Sequence, residues 1–279
     1  EGVGAVIDVE QGTLGTFDPG VPGFLLRRQP PESFPLGISR SGSWLAYVPR
    51  QERLYLVDLA GAFDQYLAAH SAKTRHNLKR ALKKLAERNP ESLFRVFSEP
   101  GEMAEFQRLA GEISRHTYQE KLLNAGLPRT PAFLAHMEDK ARRGEARGYL
   151  LYDQGQPIAY AWCSARGATL SYEIIGYLPD RAPLSPGTVL LYLIVEDLFC
   201  LGRYAILDFG VGDSEYKRLF STRALDYIDV HLFRPTLRNA LLVRAHWWLD
   251  RFNTRLGRLL DRLGLKARVR KWLRRLRTA

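Results

Sequence analysis

Between Ala168 and Phe209 the sequence changes its apolar period twice, and this stretch limits the architecture more than any other. The extended apolar run Ala168–Leu178 leads through a proline-bearing loop to Ser185-Pro186. An almost wholly apolar segment follows and ends at Gly202, and Tyr204–Phe209 is again a short apolar run. Serine before proline marks a helix start, with Ser185 as N-cap and Pro186 in the first turn, where no N–H is needed. Strand, helix and strand in so short a span pair in parallel through a right-handed crossover. In an open sheet, ligands bind beyond the carboxyl ends of such strands, so a site is expected where Tyr177–Gly187 faces Asp208–Lys217. The Ser185 end of the helix adds unpaired N–H groups and a positive dipole end, a seat for phosphate or another anion.

The remaining elements follow from similar signals. Residues 1–43 are rich in Gly, Pro and Ser, and little regular structure is expected there. Trp44–Val48 and Leu54–Leu59 flank a turn and read as a hairpin or as two edge strands. Phe63, Tyr66 and Leu67 recur at helical spacing, and Ser71 reads as the N-cap of a helix carrying Leu78, Leu82 and Leu85. The same helix carries Lys73, Arg75, Lys79, Arg80, Lys83, Lys84 and Arg88, a charge run whose plain reading is a solvated face. Downstream come a strand at Leu93–Phe97 and helices at about 101–115 and 130–143. Strands Tyr149–Tyr152 and Ile158–Ser164 surround the turn Asp153–Pro157. A small helix at 213–220, with Asp213 as N-cap, and a strand at Leu225–Phe233 complete an order β-α-α-β-β-β-α-β-α-β.

Charge is segregated. Residues 234–279 hold 14 Lys and Arg against 2 Asp, a net of +12, while residues 1–233 sum to −1. Leu241, Trp248, Phe252, Leu256, Leu259 and Leu263 follow helical spacing, and beyond Gly264 a second stripe runs Leu265, Val269, Trp272, Leu276. Such a basic amphipathic pair can lie on an anionic bilayer, grip RNA phosphates, or pack its apolar stripe onto the body. Three segments are therefore expected: an N-terminal strand and loop extension or degenerate first lobe (1–60), a central domain (61–233) and a basic helical tail (234–279). Hydrophobic residues at 46% and aromatics at 11% exclude a mainly disordered chain. The run Val189–Val195 falls well short of the ~20 residues of a spanning helix. Two cysteines without metal or disulfide spacing, both in apolar surroundings, fit a reducing, cytoplasmic setting. The chain starts with Glu1, so its natural start is expected to lie upstream or to be processed.

Five markers in order resemble the GNAT acyltransferases, and within them the CelD-like branch linked to cellulose and exopolysaccharide synthesis. They are Ser71-Ala-Lys-Thr-Arg75-His-Asn-Leu-Lys-Arg80, Gly155-Gln-Pro-Ile-Ala159, Gly176-Tyr177, Ser185-Pro186-Gly187, and Asp208-Phe-Gly-Val-Gly-Asp213-Ser-Glu-Tyr216-Lys217-Arg-Leu-Phe220. The last also looks like the Fem peptidyltransferases, which use aminoacyl-tRNA. The resemblance implies an α/β (α+β) fold with a mixed central sheet flanked by helices, and acyl-CoA as co-substrate. The chain departs from the family at Arg181-Ala-Pro-Leu-Ser-Pro-Gly187, where the usual pyrophosphate loop Gln/Arg-x-x-Gly-x-Gly/Ala has one glycine and two prolines.

Acyl transfer to an amine needs a deprotonated nucleophile, a stabilised oxyanion and a proton for the leaving group. Lys217 is the first catalytic candidate, as the lysine matching the Phe-Lys pair of Fem relatives, with a surface lysine as the alternative. Tyr216 either donates a proton or packs under the sheet. Asp208 either takes a proton from the amine or caps the loop Gly210–Gly212. Glu173, a mid-strand carboxylate, is either a general base or an arginine partner. Arg181, Ser185, Gly187 and Thr188 are placed at the donor, and Arg75, His76, Tyr172 and Tyr177 at an acceptor such as a sugar nucleotide. His and Cys spacing gives no metal site, and no Gly-x-Ser-x-Gly elbow occurs. The leading expectation is an N-acyltransferase acting on an amino sugar or a polysaccharide or cell-envelope precursor, cytoplasmic and held at the inner membrane by residues 237–279. An aminoacyl-tRNA-dependent transferase and a non-catalytic docking module are the alternatives.

Overall fold

A computed structural model describes residues 6–7, 23–89, 93–117 and 126–262 of the 279-residue chain. The chain forms two compact units, Glu1–Glu52 with Asp226–Ala279, and Arg53–Leu225. The boundaries differ from the expected 60 and 233, and the basic helix belongs to the same unit as the N-terminal strands.

The first unit holds β1 (Val6–Ile7), β2 (Gly23–Gln29), β3 (Gly37–Ser41) and β4 (Trp44–Val48). From the far end of the chain come β11 (Arg223–Phe233) and α7 (Leu237–Arg262). β11 pairs antiparallel with β2 and with β4, and β4 with β3. Two expectations are corrected here. Residues 23–41 carry two strands rather than little regular structure, and Trp44–Val48 pairs with β3 and β11, not with the strand that follows it. Gly23 shows why the first was hidden: a Cβ there would lie 2.7 Å from the Leu232 carbonyl oxygen, so close strand approach demands glycine. Phe24, Leu26, Ala46, Val48, Ile228, Val230 and Leu232 form this unit's core. α7 is fixed to it by buried Val243, by the Trp247 ring over Gly37, and by a 2.7 Å hydrogen bond between Tyr47 Oη and His246 Nδ1.

The second unit begins with β5 (Gln51–Asp58), α1 (Phe63–Ala68), α2 (Ala72–Ala86), β6 (Phe94–Phe97), α3 (Met103–His116) and α4 (Pro131–Arg142). β7 (Ala146–Asp153), β8 (Gln156–Arg166), β9 (Thr169–Tyr177), α5 (Pro186–Leu201), β10 (Ile206–Val211) and α6 (Glu215–Phe220) follow. Its sheet runs β5-β10-β9-β8-β7-β6, antiparallel except where β10 lies parallel to β9, as the crossover argument requires. The chain is thus a mixed α/β protein, its sheet flanked by helices.

Side-chain size assigns the two faces. Along β8, Ala159, Ala161, Cys163 and Ala165 point to the face covered by α1, α2, α5 and α6, while Tyr160 and Trp162 point to the face covered by α3 and α4. Small residues on the first face let α5 approach closely, and its own Val189, Leu190, Leu191, Ile194, Val195 and Leu198 are all buried there. Of the two cysteines, Cys163 is buried but Cys200 is exposed, so only one has the apolar surroundings expected of both. The β7–β8 turn tightens to two residues, Gln154 and Gly155, both with positive φ.

β9 and β10 pair only from Ile206↔Thr169 to Asp208↔Ser171. Beyond that β9 stays paired with β8 only, while β10 bulges and returns to β5 at Val211↔Leu54. Where they part, the rings of Tyr172, Phe209 and Tyr216 pack edge-on at centroid distances of 5.7 to 6.3 Å, filling the start of the splay.

Candidate active site

A cavity of about 550 Å³ opens on the helical face of the second unit. One wall is α2, through Thr74, Asn77, Arg80, Ala81 and Lys84. A second is the turn into α5, through Pro183, Leu184, Ser185 and Thr188, and a third is α6, through Glu215 and Leu219. The two segments expected to face each other, 177–187 and 208–217, both contribute. Sequence reasoning brought the α2 helix to the site through Arg75 and His76; the α2 residues that line the cavity are others.

α2 forms because Ser71 caps it, its hydroxyl accepting the Thr74 N–H at 3.1 Å, and because Leu78 and Leu85 bury one stripe. Residues 77, 80, 81 and 84 lie at i, i+3, i+4 and i+7, one continuous stripe toward the cavity. That spacing was the available signal, obscured because the exposed surface beside it, with Lys73, Lys79 and Lys83, is also basic.

At the head of α5 the expected serine cap is corrected. Ser185 sits in the left-handed region (φ 53°, ψ 47°) and its side chain caps nothing. A non-glycine residue held there costs about 1–2 kcal/mol and marks a constrained site. Its own N–H bonds to the Ala182 carbonyl, Pro186 has none, and the N–H groups of Thr188 and Val189 both bond to the Ser185 carbonyl. Of the first helical residues, only Gly187 keeps a backbone donor without a partner among the described residues. The dipole end remains, but most of the usual N–H cradle is gone. Anion recognition must therefore draw on side chains, and Arg80, Lys84 and the Thr188 hydroxyl are the groups in reach.

The cavity is electrically divided. Arg80 and Lys84 on α2 and the head of α5 make one side positive; Glu215 at the start of α6 makes the other negative. Among the described residues none of these three side chains forms an ion pair within 4.0 Å, so each charge is left for a ligand. The arrangement suits a ligand carrying both signs of charge.

The predicted residues fall into two groups. Ser185 and Thr188 line the cavity, and Gly187 lies beside it with the Tyr177 ring 3.6 Å from where its Cβ would stand. Lys217 does not line it. It is two positions from Glu215, about 200° around the helix. Its ammonium donates to the carbonyls of Val211 at 2.6 Å and Gly210 at 3.3 Å. Burial lowers its pKa, with Asp208 and Asp213 pulling the other way. Asp208 is buried and accepts the Gly210 N–H at 2.7 Å, the loop-capping alternative. Asp213 is not the N-cap of α6, a position taken by Ser214; it accepts from Tyr55 Oη at 2.7 Å and Arg218 at 2.6 Å. Tyr216 and Tyr172 sit in the aromatic cluster, where burial pushes both phenols up and keeps them protonated.

Glu173 is exposed. It is the extra residue of a bulge in β9, opposite the Trp162–Cys163 step, and accepts from the Ser164 hydroxyl. Arg181 is engaged: it bonds at 3.0 Å to Asp153, whose fully buried carboxylate also takes Arg88 at 2.6 and 3.0 Å. Arg75 turns back to the carbonyls of Ala68 and His70, closing the end of α1, and His76 is exposed.

A sequence profile described as an acetyltransferase (GNAT) domain matches residues 72–218, more than half of the chain. The chain belongs to the GNAT family. Its members are acyltransferases, and this GNAT chain is an enzyme of that class. No curated protein sequence matches it. Solved structures resemble the chain at low identity. The C-terminal DUF2156 domain of a protein assigned as lysylphosphatidylglycerol synthetase from Agrobacterium fabrum has TM-score 0.51 and 14% identity, over 78% of this chain and 70% of that one. A conserved protein of unknown function from Bacteroides thetaiotaomicron has TM-score 0.50 and 12% identity, over 75% and 69%. Identities this low carry the fold and nothing finer.

Proposed function

We propose that this GNAT enzyme is an N-acyltransferase that moves an acyl group from acyl-CoA to the amine of a phosphorylated amino sugar or similar cell-envelope precursor, in the manner of the CelD-like branch. The observation that carries the reading is the divided charge of the 550 Å³ cavity. Arg80, Lys84 and the α5 head suit phosphate oxygens. Glu215 suits an ammonium, and it takes the place that sequence reasoning gave to Asp208 or Glu173. In the reaction the ammonium first loses one proton through Glu215 to water; the free amine attacks the thioester carbonyl, a C–N bond forms, the C–S bond breaks, and the second proton shed by the nitrogen passes through Glu215 to the departing thiolate. Lys217 acts as a positioning residue, fixing the β10–α6 turn that presents Glu215.

The test is thiol release from acyl-CoA with an amino-sugar nucleotide and with its hydroxyl counterpart. Release with the amine alone, and a raised acceptor KM in Glu215→Gln, is the expected result. Absence of both acyl-CoA binding and thiol release across an amine panel overturns it.

A second reading is favoured by the loop. A cradle reduced to the Gly187 N–H is a poor pyrophosphate site, while the cationic stripe of α2 suits an RNA backbone, as an aminoacyl-tRNA donor would require. Transfer of label from charged tRNA to an amine, with no turnover of acyl-CoA, selects this reading.

A further inference from the structure

α7 is apolar on two opposite faces. One holds it to its unit through Val243, Trp247 and His246. On the other, Leu237, Leu241, Leu242, Trp248, Leu249 and Phe252 are 58% to 79% exposed. At 100° per residue these six fall within an arc of about 140°, centred opposite Val243, and span about 22 Å of helix. They are six of the eleven large apolar side chains exposed among the described residues, so they form a patch and not the usual scatter. The helical wheel sets Arg244, Arg251 and Arg255 along one edge of the arc, and Arg238 within it near its start, all four exposed.

We propose that this face of α7 docks on an anionic lipid bilayer, lying in the interface with Trp248 and Phe252 among the headgroups and upper acyl chains. Charge selects the occupant. Residues 234–279 carry a net +12, so a second copy packed face to face would bring two such segments together at a repulsive cost. An RNA backbone would satisfy the arginines and leave six large apolar side chains in water. An anionic membrane satisfies both at once, with apolar area below and arginines at the phosphate level. No helix among the described residues is long and apolar enough to cross the bilayer, so attachment by α7 is parallel to the surface.

The experiment is co-sedimentation of the full chain with vesicles of phosphatidylcholine alone and of phosphatidylcholine with phosphatidylglycerol. Wild type is expected to sediment with the anionic vesicles, to be released by salt, and to stay in solution with the neutral ones. Trp248→Glu and Phe252→Glu alter exposed side chains, so thermal melts should match wild type while anionic-vesicle affinity falls by about tenfold or more. The pair Arg244→Gln and Arg251→Gln should weaken binding to anionic vesicles in the same direction. Equal sedimentation of wild type and Trp248→Glu, or no preference for anionic lipid, overturns the proposal. So does a dimer in analytical ultracentrifugation that Trp248→Glu dissolves, which assigns the face to a second copy. RNA binding without vesicle binding overturns it in favour of a nucleic acid.

Discussion

Asp197→Ala tests how the GNAT unit holds α5, the helix whose head forms one wall of the cavity. The Arg147 guanidinium leaves β7 on the α5 side and is 11% exposed; it bonds through Nη2 to Asp197 at 2.7 Å, and Asp197 is 24% exposed. Arg147 Nε donates to Tyr149 Oη at 2.7 Å, and that hydroxyl donates to the same Asp197 oxygen at 3.1 Å. Removing the carboxylate strands a buried cation and an inward-facing hydroxyl. A fully buried pair broken this way costs about 3–5 kcal/mol. Partial exposure of Asp197 and the surviving Arg147–Tyr149 bond reduce this to about 2–3 kcal/mol. For a unit of this size the melting temperature should fall by about 4–12 °C. Asp197→Asn, which keeps an acceptor oxygen, should lose about half as much. Arg147→Met with Asp197→Leu should recover most of the loss, because a buried pair is replaced by apolar bulk. Urea denaturation reads the effect as a shift of midpoint at constant m. An Asp197→Ala variant within about 0.5 kcal/mol of wild type, or a double variant as unstable as the single one, refutes the account.

Three further outcomes follow from the same structure. Gly176→Ala puts a Cβ 2.6 Å from the Tyr160 ring and 2.7 Å from Thr117 Cγ2, both buried, and should destabilise by about 1–3 kcal/mol in chemical denaturation, relieved by Tyr160→Leu. Lys217→Met leaves the Gly210 and Val211 carbonyls without their ammonium and should lower stability by about 1.5–3 kcal/mol; steady-state kinetics should show acceptor KM rising more than kcat falls. Burial raises the pKa of Tyr66, Tyr149, Tyr172 and Tyr227 in the folded chain, whereas in the unfolded chain they ionise at the ordinary 10.0. The folded state thus keeps protons the unfolded state sheds, and stability present below pH 10 should fall by about 4 kcal/mol between about pH 10 and 11 in alkaline melts. Lys217, lowered from 10.5, has the opposite sign but is one group against four.

What could be read from the sequence was whatever depends on local period and punctuation. Strand, helix and strand across 168–209, the Ser71 cap and the β7–β8 turn each follow from a few neighbouring residues, and the parallel β9–β10 pair follows from connectivity alone. β2 was missed because Gly23-Phe-Leu-Leu-Arg-Arg-Gln29 owes its strand to β11, some two hundred residues away, not to its own propensity. Ser185 was misread for a related reason. Its composition is that of a cap, but it follows directly on the 3-10 turn Pro179–Leu184, whose last bond its own N–H closes, and it takes the left-handed conformation instead.

The candidate site was the least legible part, because its chemistry lies between elements rather than within one. Lys217 has the neighbours of a catalytic lysine in sequence, yet helix periodicity turns it toward the strand-end carbonyls and gives the cavity to Glu215. Arg80 and Lys84 look like solvated charge until α2 is laid against the head of α5. Pro186 and the left-handed Ser185 remove backbone donors at the one place where this fold presents them to an anion. Exposed side-chain cations from a neighbouring helix are a looser substitute than fixed N–H groups, since each must be ordered when ligand binds and each is screened by salt. The sparse backbone cradle and the charged helix wall thus belong together, and they distinguish this cavity from a glycine-rich anion site.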